Sequence, residues 1–177
     1  IPVTRIVGLG RSVSAIDDIK SFFTLVRLIR EYKPDIIHTH TAKAGVLGRV
    51  AGLTAYPGAK RVHTYHGHLL HGYFTAWKTR IVIVIEKLLA TSSSALIAIG
   101  NQVREDLSSV RIGKFKKYTV IFPGLDKLVS QSKSSAKDEL GLEQDKTYIV
   151  FVGRLTQIKR PDRLIEIARH LKVKHPL

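Results

Sequence analysis

The 177-residue chain contains no cysteine and no methionine. Without cysteine there are no disulfides, no zinc–thiolate sites and no thiol nucleophiles, and a reducing, cytoplasmic compartment is the simpler expectation. Long apolar runs are lacking too. No unbroken stretch is longer than the five residues of Ile81 to Ile85, far short of the ~20 residues that span a bilayer. Nothing ahead of Val3 has the layout of a signal peptide, and the chain opens at Ile1, so further upstream sequence is expected. Acidic residues are scarce: 14 Asp and Glu stand against 29 Lys and Arg, a net charge of +15. What remains is ordinary for a folded protein, with 44% hydrophobic and 24% charged residues.

The positive balance suits an anionic partner, and a nucleic acid, an anionic membrane surface or a phosphorylated substrate would each exploit it. Plain solubility is the reading that needs no partner. A nucleic-acid module would cluster its cations among stacking aromatics, whereas here they are spread along the chain with no RNP-like, helix-turn-helix or zinc motif. No nucleic acid is therefore expected.

Short β-branched runs alternate with longer segments of helical period, which predicts a Rossmann-like, doubly wound α/β fold with helices on both faces of a parallel sheet. Val3 to Val7 reads as a first strand. Asp18 to Tyr32 reads as a helix with Ile19, Phe22, Phe23, Val26 and Ile29 on one face, ended by Pro34. Strands follow at Asp35–His38, Arg61–Tyr65, Ala95–Ile99 and Tyr118–Phe122. Between them lie a helix over Ala42–Leu53, whose small residues Ala44, Gly45, Gly48 and Ala51 permit close packing on a sheet, a helix from about Ala76 to Ala90, and a short one that Asn101 can cap. The pattern divides into a first domain over 1–123, a linker over 124–146 marked by Pro123-Gly124 and a Ser/Lys cluster, and the first βα unit of a second domain over 147–177, with a strand at Tyr148–Val152 and a helix from Pro161.

In such folds ligands bind at the carboxyl ends of the strands. The unusual residues of this chain sit at those ends: His38 and His40 after the second strand, His66, Gly67 and His68 after the third, Pro123 and Gly124 after the fifth, Gly153 and Arg154 after the last. A cleft lined by histidines on the first domain and by Gly153-Arg154 on the second is expected. His66, followed by a glycine at a strand end, is placed to touch a ligand, while His63 inside its strand reads as a structural, hydrogen-bonded residue. No metal site is expected, because His63 and His66 cannot place both rings on one face and no carboxylate lies between Arg61 and Arg80. Around Phe151-Val152-Gly153-Arg154, Lys159 and the helix start at Pro161 bring cations and free N–H groups together, as a diphosphate site would require. A solvated basic helix start paired to Asp162 or Glu166 accounts for the same residues.

Four segments, "YKPDIIHTHTAKAGVLGRVAG", "RVHTYHGHLL", "VIFPGLD" and "IVFVGRLTQIKRPDRLIEIA", occur in an order and spacing that resembles the retaining GT-B glycosyltransferases of the family 4, or group 1, kind, which build bacterial surface polysaccharides. The resemblance implies two Rossmann-like domains, with the acceptor recognised mainly on the first and a nucleotide-diphosphate sugar held mainly by the second. It implies that Arg154 and Lys159, with Gly153, contact the donor diphosphate, that His66 lies near the transferred sugar as the catalytic histidine, and that His38, His40 and His68 line the acceptor side of the cleft. Metal-free, cofactor-free transfer to a glycan or lipid-linked acceptor is implied. The family's N-terminal glycine-rich loop and its later acidic donor motif lie outside these 177 residues, and "PNG" before the aspartate is shortened to "PG", so this fragment alone is expected to transfer no sugar.

Two other readings remain: a GT-B epimerase acting on a nucleotide sugar, and a basic nucleic-acid-binding module. The apolar cluster Leu69, Leu70, Tyr73, Phe74 and Trp77, flanked by Lys78 and Arg80, either packs in the core or rests on an anionic membrane, the inner face of the cell membrane being the expected place.

Overall fold

A computed structural model describes residues 3–10, 14–67, 75–124, 130–156 and 159–174. They divide into two compact units, 1–124 and 125–177.

The first unit is a four-stranded parallel sheet with its connecting helices. Helix α1 (Ala15–Tyr32) leads into β1 (Ile36–His40), and α2 (Ala42–Ala55) crosses to β2 (Lys60–Tyr65). Helix α3 (Ala76–Ser92) crosses to β3 (Ala95–Ala98), and α4 (Asn101–Ser109) with a 3-10 turn over Phe115–Lys117 reaches β4 (Tyr118–Val120). The strand order is β1-β2-β3-β4, every pair parallel. This is the Rossmann-like α/β architecture expected from the alternation of periods.

Several element ends have clear local causes. Helix α1 stops where Lys33 turns into the left-handed region (φ 46) ahead of Pro34, whose predecessor is disfavoured from helix. Helix α2 packs close to the sheet because its glycines leave room. A Cβ on Gly45 would lie 2.4 Å from the His63 ring, and one on Gly48 would lie 2.8 Å from the Thr39 methyl. The small-residue face read from the sequence is thus a contact face. Asn101 does not cap α4: it is the first helical residue, Gly100 holds the cap position, and the Asn101 side chain accepts from Arg104 instead.

The core lies on one face of the sheet. Tyr65, Leu96, Ala98 and Tyr118 point into it with Val103, Leu107 and Ile112 from the α4 region and Ala90 from α3. The opposite face carries Ile36, His38, His40 and Lys60, all exposed, and among the described residues no helical layer covers it. Helices on both faces were expected. The reason for the difference is strand order: crossovers that all step in one direction and keep the right-handed sense deliver their helices to the same side, and a second layer needs a reversal of order. Helix α1 packs on α2, and Asp18 pairs with Lys43 between them. Of its predicted apolar face, Ile29 is buried, while Ile19 and Phe23 are exposed.

Val3–Val7 is not a strand; Val3 and Val7 are exposed and unpaired with the sheet. Parallel strands gain their ladder only from a neighbour, and none lies beside this segment among the described residues.

In the second unit Ser132 caps α5 (Lys133–Glu139) by accepting from the Ser135 N–H, and Gly141 (φ 64) ends the turn that follows. The Lys137 ammonium donates to the carbonyls of Gln144 and Lys146, tying the helix to the next loop. Helix α6 spans Pro161–Lys174, with Pro161 in its first turn as predicted. Tyr148–Val152, predicted as a strand, makes no sheet ladder, and among the described residues the sheet comprises β1 to β4.

Candidate functional site

The histidines meet at the carboxyl edge of the sheet. In β1, alternation sends His38 and His40 to the uncovered face and Thr39 to the core, and the register sets His38 beside Val62 and His40 beside Thr64. His38 Nε2 lies 2.8 Å from Thr64 Oγ1. His40 Nδ1 lies 2.9 Å from Nε2 of His66, one residue past the end of β2. The rings of His38 and His40 are 4.3 Å apart, and those of His40 and His66 are 5.1 Å apart. Three of the four predicted cleft histidines therefore form one connected group. His68 lies outside the described residues.

Two backbone features shape this edge. Thr41, immediately after β1, has φ 64, a left-handed conformation that a β-branched residue reaches only under strain. It turns the chain from β1 into α2 beside His40. Gly67 has φ 153, a conformation L side chains rarely adopt, although a Cβ there would meet nothing within 4 Å. The glycine after His66 is needed for the turn, not for space.

Electrostatics on the two faces differ. The His40 imidazole is held below its ordinary pKa by partial burial, then by the neighbouring His38 and His66. His63, on the core face, is pushed down to about 3, by burial first and then by Arg49, His40 and His38, while its bond to Thr39 acts in the other direction. Its Nδ1 is 2.8 Å from Thr39 Oγ1, and its ring meets Tyr65 edge-on at 4.5 Å. His63 is the structural histidine the sequence suggested. Among the described residues no group of three His, Asp or Glu side chains is arranged to hold a metal.

One buried network escaped sequence reasoning. Arg49 of α2 donates through Nη2 to both Glu86 carboxylate oxygens, at 2.7 and 2.9 Å, and through Nε to the Gly45 carbonyl at 2.9 Å. The Tyr65 hydroxyl donates to Glu86 Oε2 at 2.8 Å, and the Arg49 and Glu86 side chains are 0% and 1% exposed. Burial and the Glu86 charge raise the Tyr65 phenol far above its ordinary range. The available signal was an arginine among the small residues of α2 and a lone glutamate in the apolar run of α3, both at core-facing positions.

An apolar groove of about 610 Å³ runs along the open edge of β1, lined by Leu25, Ile29, Ile36, His38 and His40 among others. In the second unit Gly153, Arg154 and Lys159 lie on exposed chain, joined through a turn in which Thr156 N–H donates to the Arg154 carbonyl and Lys159 N–H to that of Thr156. Asp162 is taken by Arg160, whose Nη2 lies 2.5 Å from Oδ2. The carboxylate at this helix start thus pairs with the one cation of the group that was not predicted to bind a ligand.

A parallel α/β unit with this strand order and these crossovers is a Rossmann-like domain. Residues 3–127 match Glycosyltransferase Family 4, well over half of the chain, and the chain belongs to that family. An Escherichia coli protein named UDP-Gal:alpha-D-GlcNAc-diphosphoundecaprenol alpha-1,3-galactosyltransferase is 33% identical over 172 residues, 92% of this chain and 43% of the relative. The capsular polysaccharide biosynthesis glycosyltransferase CapM of Staphylococcus aureus is 25% identical over 172 residues, 93% of this chain and 44% of the relative. A D-inositol 3-phosphate glycosyltransferase of Gordonia bronchialis is 29% identical over 144 residues, 77% and 31% of the two. The chain spans less than half the length of each of these relatives. None of them supports the epimerase or nucleic-acid readings. Among the described residues no helix is long and apolar enough to cross a membrane.

Proposed function

We propose that the protein transfers a sugar, with retention and without a metal, from a nucleotide-diphosphate donor to a glycan or lipid-linked acceptor in cell-surface polysaccharide synthesis. The observation that carries this reading is the joined His38, His40 and His66 group at the carboxyl edge of a family 4 sheet. The relative named for a diphosphoundecaprenol acceptor supports a lipid-linked substrate.

Breaking a glycosyl–phosphate bond leaves charge growing on the departing diphosphate and an oxocarbenium-like sugar, so cations already in place beside the leaving group lower the barrier. Arg154 and Lys159, exposed and without a carboxylate partner among the described residues, supply that charge. His66 has Nε2 committed to His40, which leaves Nδ1 to meet a sugar hydroxyl. The apolar groove beside His38 and His40 offers a surface to the acceptor.

Association with an anionic membrane, at the inner face, is part of the same proposal. On α3 the exposed residues Trp77, Ile81, Val84 and Leu88 recur at helical spacing, flanked by Arg80 and Lys87. Leu69, Leu70, Tyr73 and Phe74 lie outside the described residues. The test is product analysis of the full-length enzyme with UDP-sugars and a polyprenyl diphosphate-linked acceptor, with and without a chelator. Chelator-insensitive transfer with the donor's anomeric configuration kept is the expected result. A sugar nucleotide isomerised with no acceptor present would replace transferase by epimerase.

A further inference from the structure

At the opposite, amino-terminal edge of the sheet lies a concavity of about 1050 Å³, floored by Ala90, Ala95 and Gly113. Five cations line it: Lys87 from α3, Arg111 and Lys114 from the loop after α4, and Lys116 and Lys117 from the 3-10 turn into β4. Among the described residues no carboxylate lines it. We propose that this pocket is a second anion site, distinct from the histidine edge, that takes a phosphate-bearing ligand of two or more charges.

Three observations support it beyond the overall positive charge. Ser108, a residue of the pocket wall, carries a buried Oγ with no hydrogen-bond partner among the described residues, and a turn about its χ1 is what would present that hydroxyl to a ligand. The five cations border one concavity, and among the described residues none of them is paired with a carboxylate. The Lys117 ammonium donates to the Ala90 and Thr91 carbonyls at the end of α3, and burial, then the Lys114 charge beside it, holds its pKa below the ordinary value. An anion between the lysines relieves that repulsion. Finally, Arg111 is fixed in the left-handed region (φ 61) and Gly113 follows at φ 71, so the loop carrying the guanidinium is a set turn, not a free arm. A guanidinium fork, several ammonium groups and a hydroxyl donor match phosphate oxygens better than they match a single carboxylate.

A lipid headgroup and a soluble phosphate compound share this chemistry, and one experiment separates them. Inorganic pyrophosphate is titrated into the ¹⁵N-labelled full chain carrying Arg154→Ala and Lys159→Ala, so that the proposed donor cations cannot supply the signal. Saturable shifts at the Ser108 and Gly113 amides are expected, with affinity falling at least fivefold when Lys87→Gln and Lys114→Gln are added. Those two side chains make no hydrogen bond within the described residues, and an unchanged melting temperature checks that the fold persists. Vesicles of cardiolipin, whose headgroup carries two phosphate charges, in phosphatidylcholine then compete. Binding that pyrophosphate displaces assigns the site to a headgroup; vesicle binding that it leaves intact, or none, assigns a soluble phosphate. The proposal is overturned if no saturable shift appears at Gly113. It is equally overturned if Lys20→Gln with Arg30→Gln, remote on α1, weakens pyrophosphate as much as the pocket pair does.

Discussion

His40 Nδ1 and His66 Nε2 are 2.9 Å apart, so one ring donates and the other accepts, and the contact cannot survive protonation of both. Nearby His38 and His66 also oppose charge on His40. The His40 pKa in the folded chain lies below its unfolded value of about 6.5, so the stabilisation it brings is complete above that pH and is lost as pH falls through the lowered folded value. Imidazole ¹⁵N spectra are expected to show one fixed tautomer for each ring near pH 7.5 and loss of the pairing in acid. His40→Ala should free the His66 ring to exchange tautomers while His63 keeps its signal. Unchanged His66 shifts in that variant would mean that His40 does not orient it.

The Arg49–Glu86 pair predicts a severe, purely structural defect. Removing one partner of a buried ion pair strands the other charge, at about 3–5 kcal/mol. Glu86→Ala should therefore lower stability by that amount, and Tyr65→Phe, which removes one charge-assisted hydrogen bond, by about 1.5–3 kcal/mol. Urea unfolding measures both. Glu86→Ala within 1 kcal/mol of the parent would show that the pair is hydrated or replaceable.

Much of the first unit was legible from local pattern. The β-branched runs read at Asp35–His38 and Arg61–Tyr65, Pro34 after α1 and the small residues of α2 each carry a local signal, although β1 runs on to His40, two residues beyond the predicted end. What pattern could not reach was anything set by strand order: which face the helices cover, and whether Val3–Val7 or Tyr148–Val152 finds a partner strand. The histidine edge was visible because strand ends are visible. The His40–His66 contact was not, because it depends on a register between β1 and β2 that puts His40 opposite Thr64. Arg49 and Glu86 stayed hidden for a similar reason, since 37 positions separate them and only the packing of α2 against α3 brings them together.

His63 makes the chain acid-sensitive. Its folded pKa of about 3 lies below the unfolded value of about 6.5, so the unfolded chain binds the proton that the folded chain refuses. The stability is present above pH 6.5 and falls as pH drops toward 3, by about 1.4 kcal/mol for each unit, or about 2 kcal/mol between pH 6.5 and 5. His63→Asn, whose amide can take the place of Nδ1 beside Thr39, should flatten that slope. Urea midpoints of parent and variant at several pH values isolate the effect from the carboxylates, which both share. Parallel pH curves would assign the acid sensitivity elsewhere.

The donor assignment makes the most direct demand on the second unit. Arg154 and Lys159 are exposed, and the neighbouring Asp162 is held by Arg160, so both cations are available to an incoming diphosphate. On that proposed assignment, Arg154→Ala in the full-length enzyme should remove a charge-assisted contact worth about 1.5–3 kcal/mol, weakening a nucleoside diphosphate by roughly 10- to 150-fold and leaving the bare nucleoside nearly unaffected. Negative charge on the diphosphate increases toward the transition state, so kcat should fall as well as affinity. Lys159→Ala should behave alike but more weakly, because a mobile ammonium makes a point contact where a guanidinium makes a fork. Arg160→Ala serves as the control: it frees Asp162, which then repels the diphosphate from a distance, and its effect should fade in high salt as exposed charges are screened. Calorimetric titration of nucleoside, monophosphate and diphosphate against the three variants decides the matter. If Arg154→Ala weakened the nucleoside and its diphosphate equally, the guanidinium would be supporting the fold and the diphosphate would have to be held by other groups.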